Sequence, residues 1–280
     1  MHLKKYFLFL SFFISLIFSD DLDIKPIIFT LHSSNGSDWV YEKTPITSFG
    51  AGLSFEYQNP TWSILVDYIQ LGFLGQINHS LYSFSSIKSL SYLDRSKDAD
   101  GYWSEYVKTK ISYKLKSAEI YMGIFDWNVG HGVNSIHISR KSPSFPQIGF
   151  KWQIKKNLNF IYFHGFLNSG INDSSRSRFY ENEISQRIID VPRNIAFHRI
   201  EWKPTDNLVL GLNESVIYSV RSLDFHYFIP VAPFYPIENY LGDTDNIQMG
   251  FDLLYKFTDK QNFYAGFFMD ELTPEWIFNS

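Results

Sequence analysis

The feature that most constrains this chain is a strict alternation of apolar and polar residues, in segments joined alternately by very short and very long connections. In 107–116, Val107, Thr109, Ile111, Tyr113 and Leu115 hold one parity, and Lys108, Lys110, Ser112, Lys114 and Lys116 the other. A strand sends successive side chains to opposite faces, so such a segment has one apolar and one wet face. In 246–257, Ile247, Met249, Phe251, Leu253, Tyr255 and Phe257 share one face, opposite Asn246, Gln248, Gly250, Asp252 and Lys256. Similar runs fall at 51–58, 61–70, 118–125, 147–155, 158–167, 195–203, 208–220 and 262–270, with an earlier one at 24–32. That makes about eleven strands, most near the ~9–11 residues that a tilted strand needs to cross a bilayer. The best helical candidate, Ser80 to Tyr92, reads as a short helix inside a loop.

The connections are as informative as the strands. Those at 58–61, 116–117, 155–157, 204–206 and 258–261 are short and carry Asn, Asp, Pro, Ser or Lys, suited to tight turns. Those at 71–101, 126–146, 168–194 and 221–245 are long. Loops beyond about 15 residues are uncommon in compact soluble domains, whereas outer-membrane barrels pair tight periplasmic turns with long external loops. Trp62, Tyr102, Trp103, Trp152, Trp202 and Tyr218 fall near strand ends, where amphipathic rings favour the lipid–water boundary. The expected fold is all-β: an antiparallel transmembrane β-barrel of the outer membrane, one domain over residues 20–280. A soluble sandwich with an aromatic core is the competing reading. Following strand direction through the turns, 262–270 runs outward and leaves the chain end on the external side. Single-chain bacterial barrels have an even strand count, so we expect an incomplete chain, truncated before its closing strands. A stop codon directly after codon 280 would count against this.

Residues 1–19 read as a signal peptide: Lys4 and Lys5, an apolar core from Tyr6 to Phe18, and a cleavage site after Ser19. An uncleaved anchor is the alternative. The location this implies is the outer membrane of a Gram-negative-type bacterium. With Cys 0, a disulfide scaffold and a thiolate metal site are excluded. Lys+Arg 25 against Asp+Glu 29 gives no basic field for nucleic acid. Aromatics at 19% supply too much apolar surface for a disordered chain.

Two connections hold candidate contact residues. In 126–146, glycines flank His131, and Trp127, His131, Arg140 and Phe145 could form an aromatic and polar surface suited to sugars. The same loop could instead fold inward and plug the lumen. In 221–245, prolines and aromatics read as an ordered cover or an internal plug, with Tyr235, Glu238 and Asp243 as further polysaccharide-binding candidates. Lys108, Lys110 and Lys114 are expected on a wet lumen face, where they would favour anions or be simply solvated. Glu214 shares parity with Leu208, Leu210, Leu212, Val216, Tyr218 and Val220. A carboxylate facing lipid is costly, so a β-bulge near Asn213 is expected to turn it into the lumen. No catalytic residue is assigned. Asp270 and Glu271 are adjacent and would point to opposite faces. The histidines show no metal-ligand spacing, and no nucleophile elbow or phosphate-binding glycine pattern occurs. No cofactor and no metal are expected.

Several of these residues, in order, resemble the Wzi-like capsule assembly family of outer-membrane barrels. They are Trp127 with Gly130 and Gly132, Ile138-Ser139, the stretch 142–146, His198-Arg199, Pro204, Leu210, Glu214, Pro230, Pro233-Phe234, Asp245-Asn246, Asp252 and Asp270-Glu271. Val129 stands where the family commonly has proline, and residues 20–100 match poorly. The resemblance implies a non-enzymatic, lectin-like role in attaching capsular or other surface polysaccharide. Its partners would be that polysaccharide and outer-membrane lipid. The alternative is a porin or transporter for small solutes. A membrane-embedded hydrolase is a third reading, without a visible nucleophile–base pair.

Overall fold

The computed structural model describes residues 22–33, 46–74, 92–98, 101–132, 135–139, 142–177, 189–219 and 223–271. The signal segment, Arg140 and the helix expected from Ser80, apart from Tyr92, lie outside the described residues. Two compact units are present: residues 1–126 with 140–144, and residues 127–139 with 145–280.

The first unit contains β1 (Leu22–Ser33), β2 (Ile46–Gln58), β3 (Trp62–Leu74), β4 (Tyr92–Asp98), β5 (Gly101–Lys114) and β6 (Ala118–Phe125). Its strands are antiparallel in the order β1-β2-β3-β5-β6, with β4 pairing β5 off this path. The second unit is an antiparallel meander of β7 (Phe145–Lys155), β8 (Leu158–Asn172), β9 (Asp190–Thr205), β10 (Leu208–Ser219), β11 (Asn246–Thr258) and β12 (Gln261–Asp270). A 3₁₀ turn, Phe225–Phe228, and a helix, α1 (Phe234–Leu241), lie in the connection between β10 and β11. The fold is all-β and antiparallel, as the alternation predicts. The strand β4, inside a connection read as loop, was not anticipated.

Turn chemistry sets the short connections. Asn59 Oδ1 accepts the backbone N–H of Thr61 and Trp62 at 2.8 and 2.6 Å, an Asx turn that reverses the chain between β2 and β3. Thr258 Oγ1 accepts the N–H of Lys260 and Gln261 at 3.3 and 3.1 Å before β12.

In each unit the pleat separates two kinds of surface. In the first unit Ile24, Ile28, Leu53, Tyr68, Ile111, Ile120 and Met122 are exposed on one side. Register places Leu53 opposite Tyr68, and Ile111 opposite both Ile64 and Met122. The other side is wet. Ser54 donates to Asp67 at 2.5 Å, Lys108 pairs with Asp126 at 2.9 Å, and Lys110 with Glu119 at 2.7 Å. In the second unit Ile148, Trp152, Ile200, Trp202, Leu212, Phe251, Tyr255, Phe263 and Phe267 form the exposed apolar side. Leu212 lies opposite both Ile200 and Phe251, and Phe251 opposite Phe267. Trp202 lies opposite Leu158 and Leu210, and Tyr255 opposite Leu208 and Phe263, so the large rings gather at the short-turn end. Trp62, exposed and packed edge-on to Tyr113 at 4.7 Å, holds the same position in the first unit. Tyr218, expected in this aromatic group, is instead fully buried.

Candidate functional site

The second unit carries two covered polar clusters, one on each side of β8–β11. Neighbouring residues on the same strands supply them: Phe163, Phe197 and Ser215 face one cover, while Tyr162, His198 and Glu214 face the other.

On the wet side Arg199 is the centre. Its guanidinium donates from Nη1 to Asp252 Oδ2 and from Nη2 to Asp252 Oδ1, the latter at 3.0 Å, as a fork on a carboxylate. Nη1 also donates to Asn213 Oδ1 at 2.6 Å, and Asn213 Nδ2 donates to Asp252 at 3.2 Å. Glu201 approaches the second guanidinium nitrogen at 3.4 Å. Gly211 makes this packing possible, because a Cβ there would lie 2.2 Å from Arg199 Nη2.

Segment 127–139 crosses this cluster. Trp127 stacks on Phe163 at 5.2 Å and donates its indole N–H to Gln147. Val129 and Ile138 form an antiparallel bridge that closes the segment on itself, and Ser135 Oγ donates to the Val129 carbonyl. His137 places Nε2 3.1 Å from Ser215 Oγ and packs edge-on against Phe197 and Phe268. Gly132 sits at φ 128 with the Tyr264 ring 2.7 Å from where a Cβ would be, so only glycine allows this approach. A cavity of about 90 Å³ remains between the segment and β10–β12, lined by His131, His137, Asn213, Asp252 and Tyr264 among others. His131 Nε2 lies 3.8 Å from Asp252 and 3.9 Å from Glu201, beyond hydrogen-bond reach. Burial lowers the pKa of His131 against the pull of the two carboxylates, and lowers that of His137 to about 4. Both rings are therefore neutral at pH 7.

On the apolar side, residues 223–245 cover the outer-loop half of the strands. Glu214 stays on the face its parity assigns. The pairing of β10 is unbroken around Asn213, and its irregularity lies at Leu208–Leu210. The expected bulge is absent, so Glu214 does not cross to the wet side of its unit with Arg199. A different device satisfies it. Its carboxylate accepts the N–H of Phe234 and Tyr235, both at 3.0 Å, and lies 2.8 Å from His198 Nε2. Helix α1 has Pro233 at its N-cap and no side-chain cap of its own, so a carboxylate from the strand receives its first free donors. His198 Nδ1 lies 3.0 Å from the Pro230 carbonyl, Tyr162 donates to the Tyr227 carbonyl at 2.8 Å, and Tyr227 donates to Asp245 at 2.6 Å. His198 stacks on Phe234 at 4.4 Å and His164 on Phe228 at 4.1 Å. Tyr227, Phe234, Val216, Tyr218 and Ala196 are the fully buried centre of this cluster.

The five polysaccharide-binding candidates among the described residues do not converge. Trp127 is occupied by Phe163 and Gln147, and His131 faces the cavity on the wet side. Tyr235 and Glu238 belong to α1 on the apolar side, where Glu238 is buried. Asp243 follows the helix at φ 57. Arg140 lies outside the described residues. Burial, with Asp243 and Asp245 close by, pushes the Glu238 carboxyl up to about 7. Lys108, Lys110 and Lys114 share the wet face of β5, but Lys108 and Lys110 are ion-paired, and Lys110 also lies over Tyr121 at 5.3 Å. That pairing removes most of an anion-attracting row.

Sequence reasoning missed the Arg199–Asp252–Asn213 network and the role of His198. The available signal was parity: Arg199 and Glu201, Asn213 and Ser215, and Asp252 all interrupt strands on the same side. Among the described residues there is no cluster of His, Cys, Asp and Glu able to hold a metal ion. The buried His–carboxylate pair of His198 with Glu214 has its remaining capacity taken by backbone groups.

No family model matches this chain, and no curated protein matches it significantly. Among solved structures, it is similar to a refined porin over 80% of its own length, at 10% identity and a TM-score of 0.40. It spans 57% of that porin. It also aligns with OccK8 (OprE) of Pseudomonas aeruginosa, over 90% of this chain and 95% of that one, at 11% identity and a TM-score of 0.23.

Proposed function

We propose that this chain is an outer-membrane β-barrel protein of the diffusion-channel kind, passing small polar solutes. The observation that carries the reading is the exposed apolar face of both units. From Ile28, 87% exposed, to Phe267, 62% exposed, side chains of one parity present bare hydrocarbon while the opposite parity holds ion pairs and amides. Soluble monomers rarely leave apolar patches beyond a few hundred Å² open to water, and sandwiches bury that parity between sheets. A bilayer supplies the missing apolar partner, and antiparallel strands of this length can cross one only with backbone hydrogen bonds satisfied between neighbours. Rings collected at the short-turn end suit an interfacial girdle.

Polysaccharide attachment, the function implied by the resemblance to capsule assembly proteins, draws less support. Its described candidate residues lie on two different sides of the sheet, with Trp127 engaged by Phe163 and Gln147 and Glu238 buried. The wet face of each unit, with Ser54, Asp67, Lys108 and Lys110 in the first and Arg199 and Asp252 in the second, is of the kind that suits a water-lined passage instead.

The test is planar-bilayer recording on the purified chain refolded in detergent. Stepwise conductance increments, with a heat-dependent shift in gel mobility, are expected. A protein that shows the gel shift yet remains silent would be a membrane protein without this transport role. A protein soluble without detergent would overturn the membrane reading itself.

A further inference from the structure

We propose that residues 223–245 form a membrane-contact element, bound to the strand wall from the lipid side and immersed in the headgroup–acyl boundary. This rests on the membrane reading above and adds to it: the connection is a fitted part of the lipid-facing surface, not a loop standing in water.

The placement follows from the sheet. The segment covers Tyr162, His164, His198, Glu214, Val216 and Tyr218, whose parity is that of Ile200, Leu212 and Phe251. Those three are exposed apolar residues farther along the same face. Without its cover, this half of the face would turn a carboxylate and two imidazoles toward hydrocarbon. With it, Glu214 and His198 are spent on backbone groups of 230–235.

The outer surface of the segment continues the apolar face. Tyr227 and Phe234 point to the strands, and Phe225, Val231 and Tyr240 point away, at 79%, 71% and 80% exposure. Ile229 is exposed beside them. From Phe225 to Ile237 the sequence has no charged side chain apart from any charge on His226, which lies 2.7 Å from Asp224. Of the acids in the segment, Asp224 caps the 3₁₀ turn, Glu238 is buried and Asp245 accepts from Tyr227, while Asp243 is exposed past the helix end, at the edge of the apolar stretch. An uncharged surface of Phe, Ile and Val with a marginal Tyr fits the interfacial zone, where apolar bodies sit in lipid and phenol groups meet headgroups.

The chain contains no cysteine, so single-cysteine variants can carry one nitroxide each. Full-length Phe225→Cys, Val231→Cys, Leu212→Cys and Asp259→Cys proteins would be labelled and reconstituted in dioleoylphosphatidylcholine vesicles. Power saturation would compare collision with oxygen, which concentrates in lipid, and with a nickel chelate, which stays in water. Leu212 lies on the bare strand face, and Asp259 lies in an exposed turn. The expected result is that positions 225 and 231 favour oxygen, as position 212 does, while 259 favours nickel. Nickel-favouring labels at 225 and 231 with a lipid-like 212 would overturn this inference and leave the membrane reading standing. A water-like label at 212 would overturn both. Labels at 225 and 231 reached by neither agent, with broadening between labelled copies, would mean that a second copy covers the segment, and would also overturn it.

Discussion

At the residue scale, the wet side of the second unit is organised by one cation. Arg199 reaches Asp252 and Asn213 with its fork and is 3% exposed, so its partners were desolvated together with it. Removing one member of such a cluster leaves an uncompensated buried charge, which costs about 3–5 kcal/mol. Arg199→Met is expected to lower the unfolding midpoint in detergent by that order, and adding Asp252→Asn is expected to recover part of it. Gly211→Ala places a methyl where the guanidinium lies and is expected to cost about 1–3 kcal/mol through overpacking. A midpoint unchanged by either single variant would show that the cluster carries no stability. Glu238 predicts a pH dependence. Its carboxyl binds a proton more tightly in the fold, at about 7, than the ordinary value of 4.5. Folding is therefore unpenalised by this group below about 4.5, loses stability as the pH rises from there to 7, and carries the whole penalty above. Glu238→Gln should gain about 1–3 kcal/mol over the native chain at pH 8, and little at pH 4. Thermal unfolding at those two pH values checks both the sign and the window.

At the element scale, the strands were legible because a period of two is a direct consequence of the pleat. The parities written for 107–116 and 246–257 are those of the two faces. What alternation does not encode is the fate of a long connection, which depends on pairings between residues far apart in sequence. Glu214 shows the difference. Its parity was readable and correct, and so was the cost of placing a carboxylate there. The remedy, α1 delivering two N–H groups from 20 residues on, could not be read from spacing alone. β4 escaped for a related reason: its partner β5 defines it, and 92–98 carries no alternation of its own. Several residues behind the capsule-family resemblance, among them His198, Arg199, Glu214, Pro230, Phe234, Asp245 and Asp252, are contacts within these two clusters. Their order in the sequence thus reflects packing as readily as glycan recognition. The carboxylate latch makes its own prediction. Glu214→Ala removes the acceptor of two helix-start donors and the partner of His198. It should release 223–245 to rapid proteolysis while the strands remain protected, whereas Glu214→Gln should show an intermediate rate. Equal cleavage rates in all three proteins would show that the segment is held by its aromatic contacts alone.

At the scale of the whole molecule, the two faces assign different work to the two covers. Residues 223–245 complete an apolar surface, whereas residues 127–139 occupy space on the wet one. If the wet face lines a water-filled passage, the second cover narrows it, and does so with neutral groups. His131 and His137 are uncharged near pH 7, and Arg199 beneath them is paired with Asp252 and approached by Glu201. A constriction of this kind limits by size more than by sign, because fixed charges at a narrow point are what give a pore strong ion preference. The segment is closed on itself by the Val129–Ile138 bridge, and its ends are anchored by Trp127 and His137. Replacing 130–136 with a two-glycine link should therefore leave the strands intact and open the passage. The expected result is a several-fold rise in unitary conductance, with an unchanged gel-mobility shift and little change in the cation-to-anion permeability ratio measured across a salt gradient. Unchanged conductance would place 127–139 outside the permeation path. A large change in the permeability ratio would mean that the segment had been screening charges on β9–β11, and that Arg199 and Asp252 are not balanced toward the solute.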